Sequence, residues 1–272
     1  MKDFKYLFMK NSHNEDIYRI GRVRISITNE DDAVKSIIAF VKNSQTGYVC
    51  ISNMRTVSIA NRDDKYQEVM ENSLMNTPDG TPLAWCGHWW GLKDVGRACG
   101  PHIFSRILKE NDKELRHFFL GDTDETLATL KKKVTEEYDT KVTGVYSPPF
   151  LPLEEYDIKG IAKMINDSGA NIVWTSLRAP KQDFLAAMLS PHLNDGVVVV
   201  GVGAAFRSEI GQLRQPDGFL QKVGLAGLLF KRKDSSWWTE FKWYAVQSTL
   251  LMKYFITIKW RKIKGVKHYA YK

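Results

Sequence analysis

The sequence predicts an α/β protein in which a Rossmann-like parallel β-sheet is covered by helices on both faces. Short β-rich runs alternate with helical patterns from about residue 20 to about residue 230. Strands that alternate with helices in this way favour a parallel sheet. A continuous valine run at residues 197–200 is typical of a strand buried on both faces, so we expect it near the centre of the sheet.

The predicted strands and helices follow one another in a regular order. The RVRISIT run at 22–28 alternates with the period of a strand, and the DDAVKSIIAFVKNS segment after it has helical spacing. GDTDETLATLKKKVTEEY begins with turn and capping residues and acids before its helical pattern, and LEEYDIKGIAKMINDSGA repeats that design. Further strands are predicted at YVCIS (48–52), SLMNTP (73–78), HFFLG (117–121), KVTGVY (141–146), NIVWTS (171–176) and VVVVGVG (197–203).

Composition limits the classes to which the protein can belong. A length of 272 residues with 43% hydrophobic side chains allows a substantial core. Cys50, Cys86 and Cys99 are scattered, and no His lies at ligand spacing from a Cys or another His. We therefore predict no metal site or disulfide framework and favour a reducing, cytoplasmic compartment. The N-terminus lacks a signal-peptide pattern, and no run of about 18 apolar residues predicts a membrane-spanning helix.

The basic residues are concentrated at the C-terminus. Residues 231–272 carry 11 Lys and Arg against 2 acids, so the net charge of +8 comes from this segment. We predict an α/β domain at 1–230 and a helical basic appendage at 231–272. The appendage also holds ten aromatic residues, and its apolar positions recur at helical spacing: Trp243, Val246, Leu250, Tyr254 and Ile258.

Three interpretations of this appendage follow from its composition. Trp, Lys and Arg around an apolar stripe are typical of a helix at an anionic membrane surface, which is the interpretation we favour. A terminal helix packed on the domain, or on a partner subunit in a homo-oligomer, would show the same stripe. Nucleic acid is disfavoured as a partner because no nucleic-acid-binding motif accompanies the charge.

Polar residues that follow predicted strands are the first candidates for a functional site. Parallel sheets bind ligands in the crevice beyond the carboxyl ends of their strands. Asn53, Asp79, Gln182 and Gly203 all fall at strand-to-helix junctions. Asp79, in a PDG turn, suits either a turn or helix cap, or a base that removes a proton from a hydroxyl. Asn53 suits a helix cap, and Gln182 could simply solvate the first turn of a helix.

Two later segments have features suited to a phosphate or a nucleotide. The APKQD segment begins a helix with Pro180 near its start, where free backbone N–H groups attract anions. In GVGAAF, Gly201 and Gly203 permit close approach of the backbone. Phe206, however, stands where a third glycine would complete a dinucleotide-binding fingerprint. An NAD-dependent oxidoreductase is therefore disfavoured.

Six segments in this order resemble the WecG/TagA/CpsF glycosyltransferase family, glycosyltransferase family 26, over roughly residues 20–230. They are SNM (52–54), PDG (78–80), RACGPH (97–102), RAPKQD (178–183), GVGAAFRSEIGQLRQP (201–216) and GLAGLLF (224–230). The resemblance implies an inverting transferase that needs neither metal nor cofactor. It would move a sugar from a UDP-sugar to a polyprenyl-diphosphate-linked saccharide at the cytoplasmic face of the cell membrane, in surface polysaccharide or teichoic acid biosynthesis.

The resemblance also implies roles for individual residues. Asp79 would be the general base on the acceptor hydroxyl, and Ser52 and Asn53 would help to hold the reacting groups. Without a metal, the UDP leaving group needs cations and backbone donors. The residues implied in binding the UDP-sugar are Arg97, Gln182, Gly201, Gly203, Ala204, Phe206 and Arg214.

Several positions depart from the usual pattern of the family. Ser52 replaces a Thr and Asp183 replaces a Glu, whereas His102 and Arg207 stand where Asp is common. Residues 226, 227 and 230 replace a Glu-Trp pair and an Arg, which changes how the appendage would reach the site. The alternative function is therefore a catalytically inactive nucleotide-sugar-binding or membrane-scaffold protein of the same fold.

Overall fold

The computed structural model describes residues 16–213 and 237–263. These residues contain eight strands: β1 (Ile17–Ile20), β2 (Val23–Ser26), β3 (Gly47–Ser52), β4 (Met75–Pro78), β5 (His117–Gly121), β6 (Val142–Tyr146), β7 (Ile172–Ser176) and β8 (Val198–Gly201). The last six form one parallel sheet in the order β4-β3-β8-β7-β5-β6. The predicted parallel sheet is confirmed, and the valine strand β8 lies in its interior.

Ten α-helices accompany the strands within the same described ranges. They are α1 (Glu30–Lys42), α2 (Met54–Ala60), α3 (Asp64–Asn72), α4 (Thr81–Trp90), α5 (Gly100–Glu110), α6 (Asp124–Tyr138), α7 (Ile158–Asp167), α8 (Lys181–Leu189), α9 (Ala205–Glu209) and α10 (Trp237–Ile263). Single 3₁₀ turns occupy Leu153–Glu155 and Ser190–His192. As the capping pattern predicts, the Thr123 side chain accepts a hydrogen bond from a backbone N–H in the first turn of α6.

The two faces of the sheet bury separate apolar layers. On one face, α1, α5, α6 and α9 cover a cluster in which the rings of Phe104 and Trp174 lie 5.0 Å apart. On the other face, α7 and α8 cover a cluster that includes Phe118 and Leu185. Because successive strand residues point to opposite faces, each inner strand contributes to both layers. The predicted helical cover on both faces is confirmed.

An antiparallel hairpin of β1 and β2 lies at the β4 edge, where the sequence predicts one strand only. Arg24 interrupts its apolar pattern yet is fully buried, and its Nε donates to the carbonyl of Met70 at 2.9 Å. The backbone N–H of Asn76 in β4 donates to Ser26 Oγ at 2.9 Å, and its Nδ2 donates to the Arg24 carbonyl at 2.7 Å. These bonds attach the hairpin to the sheet.

Helix α10 packs on α2 and α4. Tyr254 and Ile258 are 9% and 2% exposed, and the Tyr254 hydroxyl accepts from Trp90 Nε1 at 2.5 Å and donates to the Arg19 carbonyl at 2.7 Å. The predicted helical appendage is confirmed. The prediction that Tyr254 and Ile258 face a membrane is wrong, because both pack against the domain.

Some sequence predictions fall on residues that the structure does not describe. The predicted boundary at residue 230, the candidate Arg214 and the side chain of Trp243 lie outside the described residues. Within the described ranges, no helix combines the length and the apolar character needed to cross a membrane.

Candidate active site

The strand order brings the predicted junction residues to one edge of the sheet. Asn53 follows β3, Asp79 follows β4 and Gly203 follows β8, and these three strands are consecutive neighbours. Neighbouring strands lie about 4.8 Å apart, so their carboxyl ends line a short crevice. Ser176, at the carboxyl end of β7, belongs to the same edge.

The turn after β4 holds the Asp79 carboxylate at this edge. The backbone N–H of Asp79 donates to the Ser52 carbonyl at 2.6 Å, which ties the turn to β3. Gly80 has φ +114°, a conformation that residues with a Cβ rarely adopt. Gly80, rather than Asp79, is the N-cap residue of α4. The interpretation of Asp79 as a helix cap is therefore wrong.

The segment before α5 surrounds the Asp79 carboxylate with groups that favour its ionised form. Arg97 Nε lies 3.6 Å from Asp79 Oδ1, and the two side chains are 26% and 27% exposed. The backbone N–H of Ala98 donates to the Pro78 carbonyl at 2.8 Å, which fixes this segment against β4. Burial raises the pKa of Asp79, while Arg97 and the Cys99 thiol offset part of that rise.

His102 adds a further group to this part of the crevice. Its Nδ1 lies 3.0 Å from Glu30 Oε2 at the start of α1. The hydrogen bond from His102, assisted by Arg106, lowers the pKa of Glu30. His102 therefore joins α5 to α1, and its electrostatic interaction also favours ionised Asp79.

Ser52 and Asn53 occupy different environments at the end of β3. Ser52 is 1% exposed, and its hydroxyl donates to Asn76 Oδ1. A direct contact between that hydroxyl and a substrate is therefore not supported. Asn53 is exposed, and its Oδ1 accepts from the N–H groups of Arg55 and Thr56 at 3.0 and 3.2 Å. The interpretation of Asn53 as a helix cap is confirmed.

Gly203 is held on both sides of its backbone. Its N–H donates to Gln182 Oε1 at 3.0 Å, and its carbonyl accepts from the Ser176 hydroxyl. Gly203 has φ +61°, and a Cβ placed on it would meet no described atom within 4 Å, so this glycine faces open space. Sequence reasoning missed Ser176; the available signal was a polar residue at the end of a buried strand.

Gln182 and Gly201 form the packed support behind Gly203. Gln182 is 2% exposed, so the interpretation that it solvates a helix start is wrong. A Cβ on Gly201 would lie 2.9 Å from Gln182 Nε2 and 3.1 Å from Asp183 Oδ1, so Gly201 makes room for α8 rather than for a ligand. The N–H groups of Gln182 and Asp183 donate to the carbonyls of Arg178 and Pro180, so the predicted free donors are not available at these two positions.

The residues of α9 divide between the core and the surface. Ala204 is the half-buried N-cap residue of this helix. Phe206 is fully buried, and its ring lies 5.3 Å from that of Phe104. A direct contact of Phe206 with a substrate is therefore not supported, and its role is to anchor α9. Arg207 Nε and Nη2 each donate at 2.8 Å to a different carboxylate oxygen of Asp122.

The sequence of the chain shows the family to which it belongs. A sequence model of the glycosyl transferase WecG/TagA/CpsF family matches residues 18–263. The matched region contains the six-stranded sheet, the Asp79 crevice and the whole of α10. The match therefore extends beyond residue 230, where the resemblance described above ends. The chain belongs to the WecG/TagA/CpsF family of glycosyltransferases, with a role in polysaccharide biosynthesis.

Proposed function

We propose that this protein is an inverting, metal-independent hexosyltransferase. It moves a sugar of N-acetylmannosamine type, or a related hexose, from a UDP-sugar to a polyprenyl-diphosphate-linked saccharide in surface polysaccharide or teichoic acid biosynthesis. The observation that carries this proposal is the Asp79 carboxylate at the carboxyl edge of the sheet. It is 27% exposed, and Gly80 rather than Asp79 is the N-cap residue of α4.

Asp79 is the general base in this proposal. In a single displacement, the acceptor hydroxyl attacks the anomeric carbon while the bond from that carbon to the diphosphate breaks on the opposite face. Asp79 takes the hydroxyl proton as the new bond forms. Burial raises the pKa of Asp79 and so makes its carboxylate a stronger base, while Arg97 at 3.6 Å favours the ionised form that the reaction needs.

The UDP part of the donor lies, in this proposal, across the ends of β8 and β7. Gly203 faces open space there, with its backbone held by Gln182 and Ser176. Ala204 continues this loop, and Arg97 supplies a cation for the departing diphosphate. Gln182, Gly201 and Phe206 act from behind the loop by packing, and Arg214 is a further candidate cation.

The acceptor is lipid-linked in this proposal, so the protein works as a peripheral protein on the cytoplasmic face of the membrane. The outer face of α10 supports this location. Met252, Ile256 and Trp260 follow one another at four-residue spacing and are 59%, 58% and 57% exposed. Lys253 and Lys259 flank them and are exposed as well. Apolar side chains bordered by lysines suit an anionic lipid surface.

The proposal is tested by measuring UDP release from full-length protein with a panel of UDP-sugars and polyprenyl-diphosphate-linked acceptors. Asp79→Asn should lower kcat about 10²- to 10⁴-fold while UDP binding persists. Asp195→Asn is the matched control. Asp195 is exposed and lies three residues before the start of β8, at the opposite edge of the sheet, so this variant should retain full turnover.

Each other outcome of this assay has a separate meaning. Full turnover by Asp79→Asn would show that Asp79 is not the base. Binding of UDP without turnover of any donor would favour the catalytically inactive nucleotide-sugar-binding protein. Failure of the wild-type protein to bind UDP would contradict the proposed donor class.

A further inference from the structure

A buried acid on α8 lies outside the mechanism proposed above. Asp183 is 1% exposed, and its Oδ2 accepts a hydrogen bond from the Tyr66 hydroxyl at 2.5 Å. Its Oδ1 is buried and has no hydrogen-bond partner among the described residues. A buried polar atom without a partner is costly, so such an atom calls for a physical explanation.

A group that could satisfy this oxygen is the amide of Gln182. A Cβ on Gly201 would lie within about 3 Å of both Gln182 Nε2 and Asp183 Oδ1, so these two atoms flank the same glycine. The other end of the amide, Gln182 Oε1, accepts from the N–H of Gly203 at 3.0 Å. The orientation of one amide therefore decides whether Gly203 keeps its acceptor.

We propose that Asp183, held by Tyr66, is a positioning residue that fixes the orientation of the Gln182 amide and thereby the loop from Gly201 to Gly203. The proposal rests on the proposed function in one respect, namely that this loop binds UDP. An ionised Oδ1 only accepts hydrogen bonds, so it keeps Nε2 beside it and Oε1 on Gly203. A protonated Oδ1 donates instead, attracts Oε1, turns the amide and leaves the Gly203 N–H without its acceptor.

The ionisation of Asp183 falls near neutral pH. Burial raises its pKa to about 7, with Tyr66 and Gln182 opposing the rise. The titratable groups around it are the Tyr66 hydroxyl from α3 and the Tyr48 and Cys50 side chains from β3. Burial raises the pKa of all three, so they stay neutral at this pH.

The other elements packed against α8 do not place a charge beside Asp183. Strands β7 and β8 have no titratable side chain, and the titratable residues of α7 and the adjoining 3₁₀ turn are exposed: Lys159, Lys163, Asp167 and His192. Arg24 of β2 acts on Tyr48 and Cys50, where it offsets part of the rise in pKa that burial causes. Of the groups beside Asp183, the Gln182 amide is the one that also bonds Gly203, so it is the group that would pass a change in the charge of Asp183 to the loop.

The first test measures UDP binding to the full chain by calorimetry at about pH 6 and about pH 8, one unit on either side of the Asp183 transition. Wild-type affinity should rise about tenfold over this range, the effect of one hydrogen bond gained. In Asp183→Asn, the Tyr66 hydroxyl donates to the carbonyl oxygen of the new side chain, so the NH₂ group of that side chain occupies the position of Oδ1. This NH₂ group donates hydrogen bonds, as the protonated Asp183 does. At both pH values, this variant should bind UDP as weakly as wild type does at the lower pH.

Two further variants separate positioning from simple structural support. Asp183→Glu keeps a carboxylate and should retain the rise of affinity with pH. Tyr66→Phe removes the donor to Oδ2, which raises the pKa of Asp183, so its rise in affinity should occur at higher pH. If affinity is equal at the two pH values in wild type and unchanged in Asp183→Asn, the proposal is overturned.

A second readout needs no nucleotide. Amide hydrogen exchange of ¹⁵N-labelled protein reports the protection of the Gly203 N–H. Asp183→Asn should lower that protection about tenfold while Val199 in β8 stays protected. If wild type does not bind UDP, the proposed function fails and the exchange measurement still decides the role of Asp183. Unchanged protection of Gly203 in both Asp183→Asn and Tyr66→Phe would overturn that role.

Discussion

Arg97 Nε lies 3.6 Å from Asp79 Oδ1, and this pair sets the ionisation of the candidate base. Burial raises the pKa of Asp79 and the neighbouring guanidinium lowers it. Both side chains remain about one quarter exposed, so solvent weakens their attraction and a substrate can reach them. The net effect is a raised pKa, so the Asp79 carboxylate is a stronger base than one at an open surface.

Replacing Arg97 by Gln should move the pH dependence of the reaction. Loss of the positive charge raises the pKa of Asp79 further, and the base must be ionised to act. The acidic limb of kcat/KM should therefore shift upwards by about one pH unit, measured as UDP release across a pH series. Arg106→Gln is the control, because Arg106 pairs with Asp31 and Glu30 instead. An unshifted limb in Arg97→Gln would remove Arg97 from this role.

Alanine at Gly80 should reduce both stability and turnover, whereas alanine at Gly91 should reduce stability alone. Both glycines have positive φ, +114° and +92°, so each substitution strains the backbone by about 1–3 kcal/mol, measured by denaturant unfolding. Only Gly80 adjoins Asp79, so only its substitution displaces the carboxylate from the crevice. Equal kcat values for the two variants would show that the turn does not position Asp79.

Continuous buried strands were the most predictable part of the fold. The HFFLG run coincides with β5 at His117–Gly121, because a strand buried on both faces is mainly apolar and is bounded by polar residues. The hairpin was predicted only in part, since the alternation of RVRISIT locates β2 but shows neither β1 nor the burial of Arg24. The buried guanidinium of Arg24 is stabilised by a hydrogen bond to the carbonyl of Met70, which lies 46 residues away in the chain. Local pattern carries no information on such a partner.

In the candidate site, too, local sequence pattern predicted some residues and not others. Asp79 and Asn53 were predictable because they occupy junctions that the strand pattern locates. The partnership of Tyr66 with Asp183 was not, since 117 residues separate them and only the packing of α3 on α8 brings them together. The burial of Phe206 also escaped prediction, because a loop motif does not show which of its side chains point into the core.

Acidification should destabilise the protein through His117. Its side chain is 2% exposed, and its Nδ1 accepts a hydrogen bond from Trp174 Nε1 at 3.0 Å, which requires the neutral ring. Burial lowers the pKa of His117 to about 4 from an ordinary value of 6.5. Between these values the unfolded chain binds the extra proton, so the stability falls as the pH is lowered, by up to about 3 kcal/mol.

Substitution of His117 separates this effect from that of Asp183. The raised pKa of Asp183 has the opposite sign, since its contribution to stability falls as the pH rises towards about 7. In His117→Gln, the free energy of unfolding should therefore lose the decline towards low pH that wild type shows. Urea unfolding at a series of pH values measures this difference. His192→Gln, at an exposed position, is the control, and equal slopes in wild type and His117→Gln would contradict the assignment.

The outer face of α10 should bind anionic membranes. Replacing Met252, Ile256 and Trp260 by Ser removes three apolar side chains that are each more than half exposed. If each side chain contributes about 1 kcal/mol to the free energy of membrane binding, the affinity for vesicles of anionic lipid should fall about 100-fold. Sedimentation with the vesicles measures this affinity. Because Lys253 and Lys259 remain, residual binding should weaken with added salt. Met164→Ser with Met188→Ser is the matched control, since these methionines are exposed on α7 and α8, and it should bind as wild type does. Equal vesicle binding by wild type and the triple variant would show that this face meets another partner.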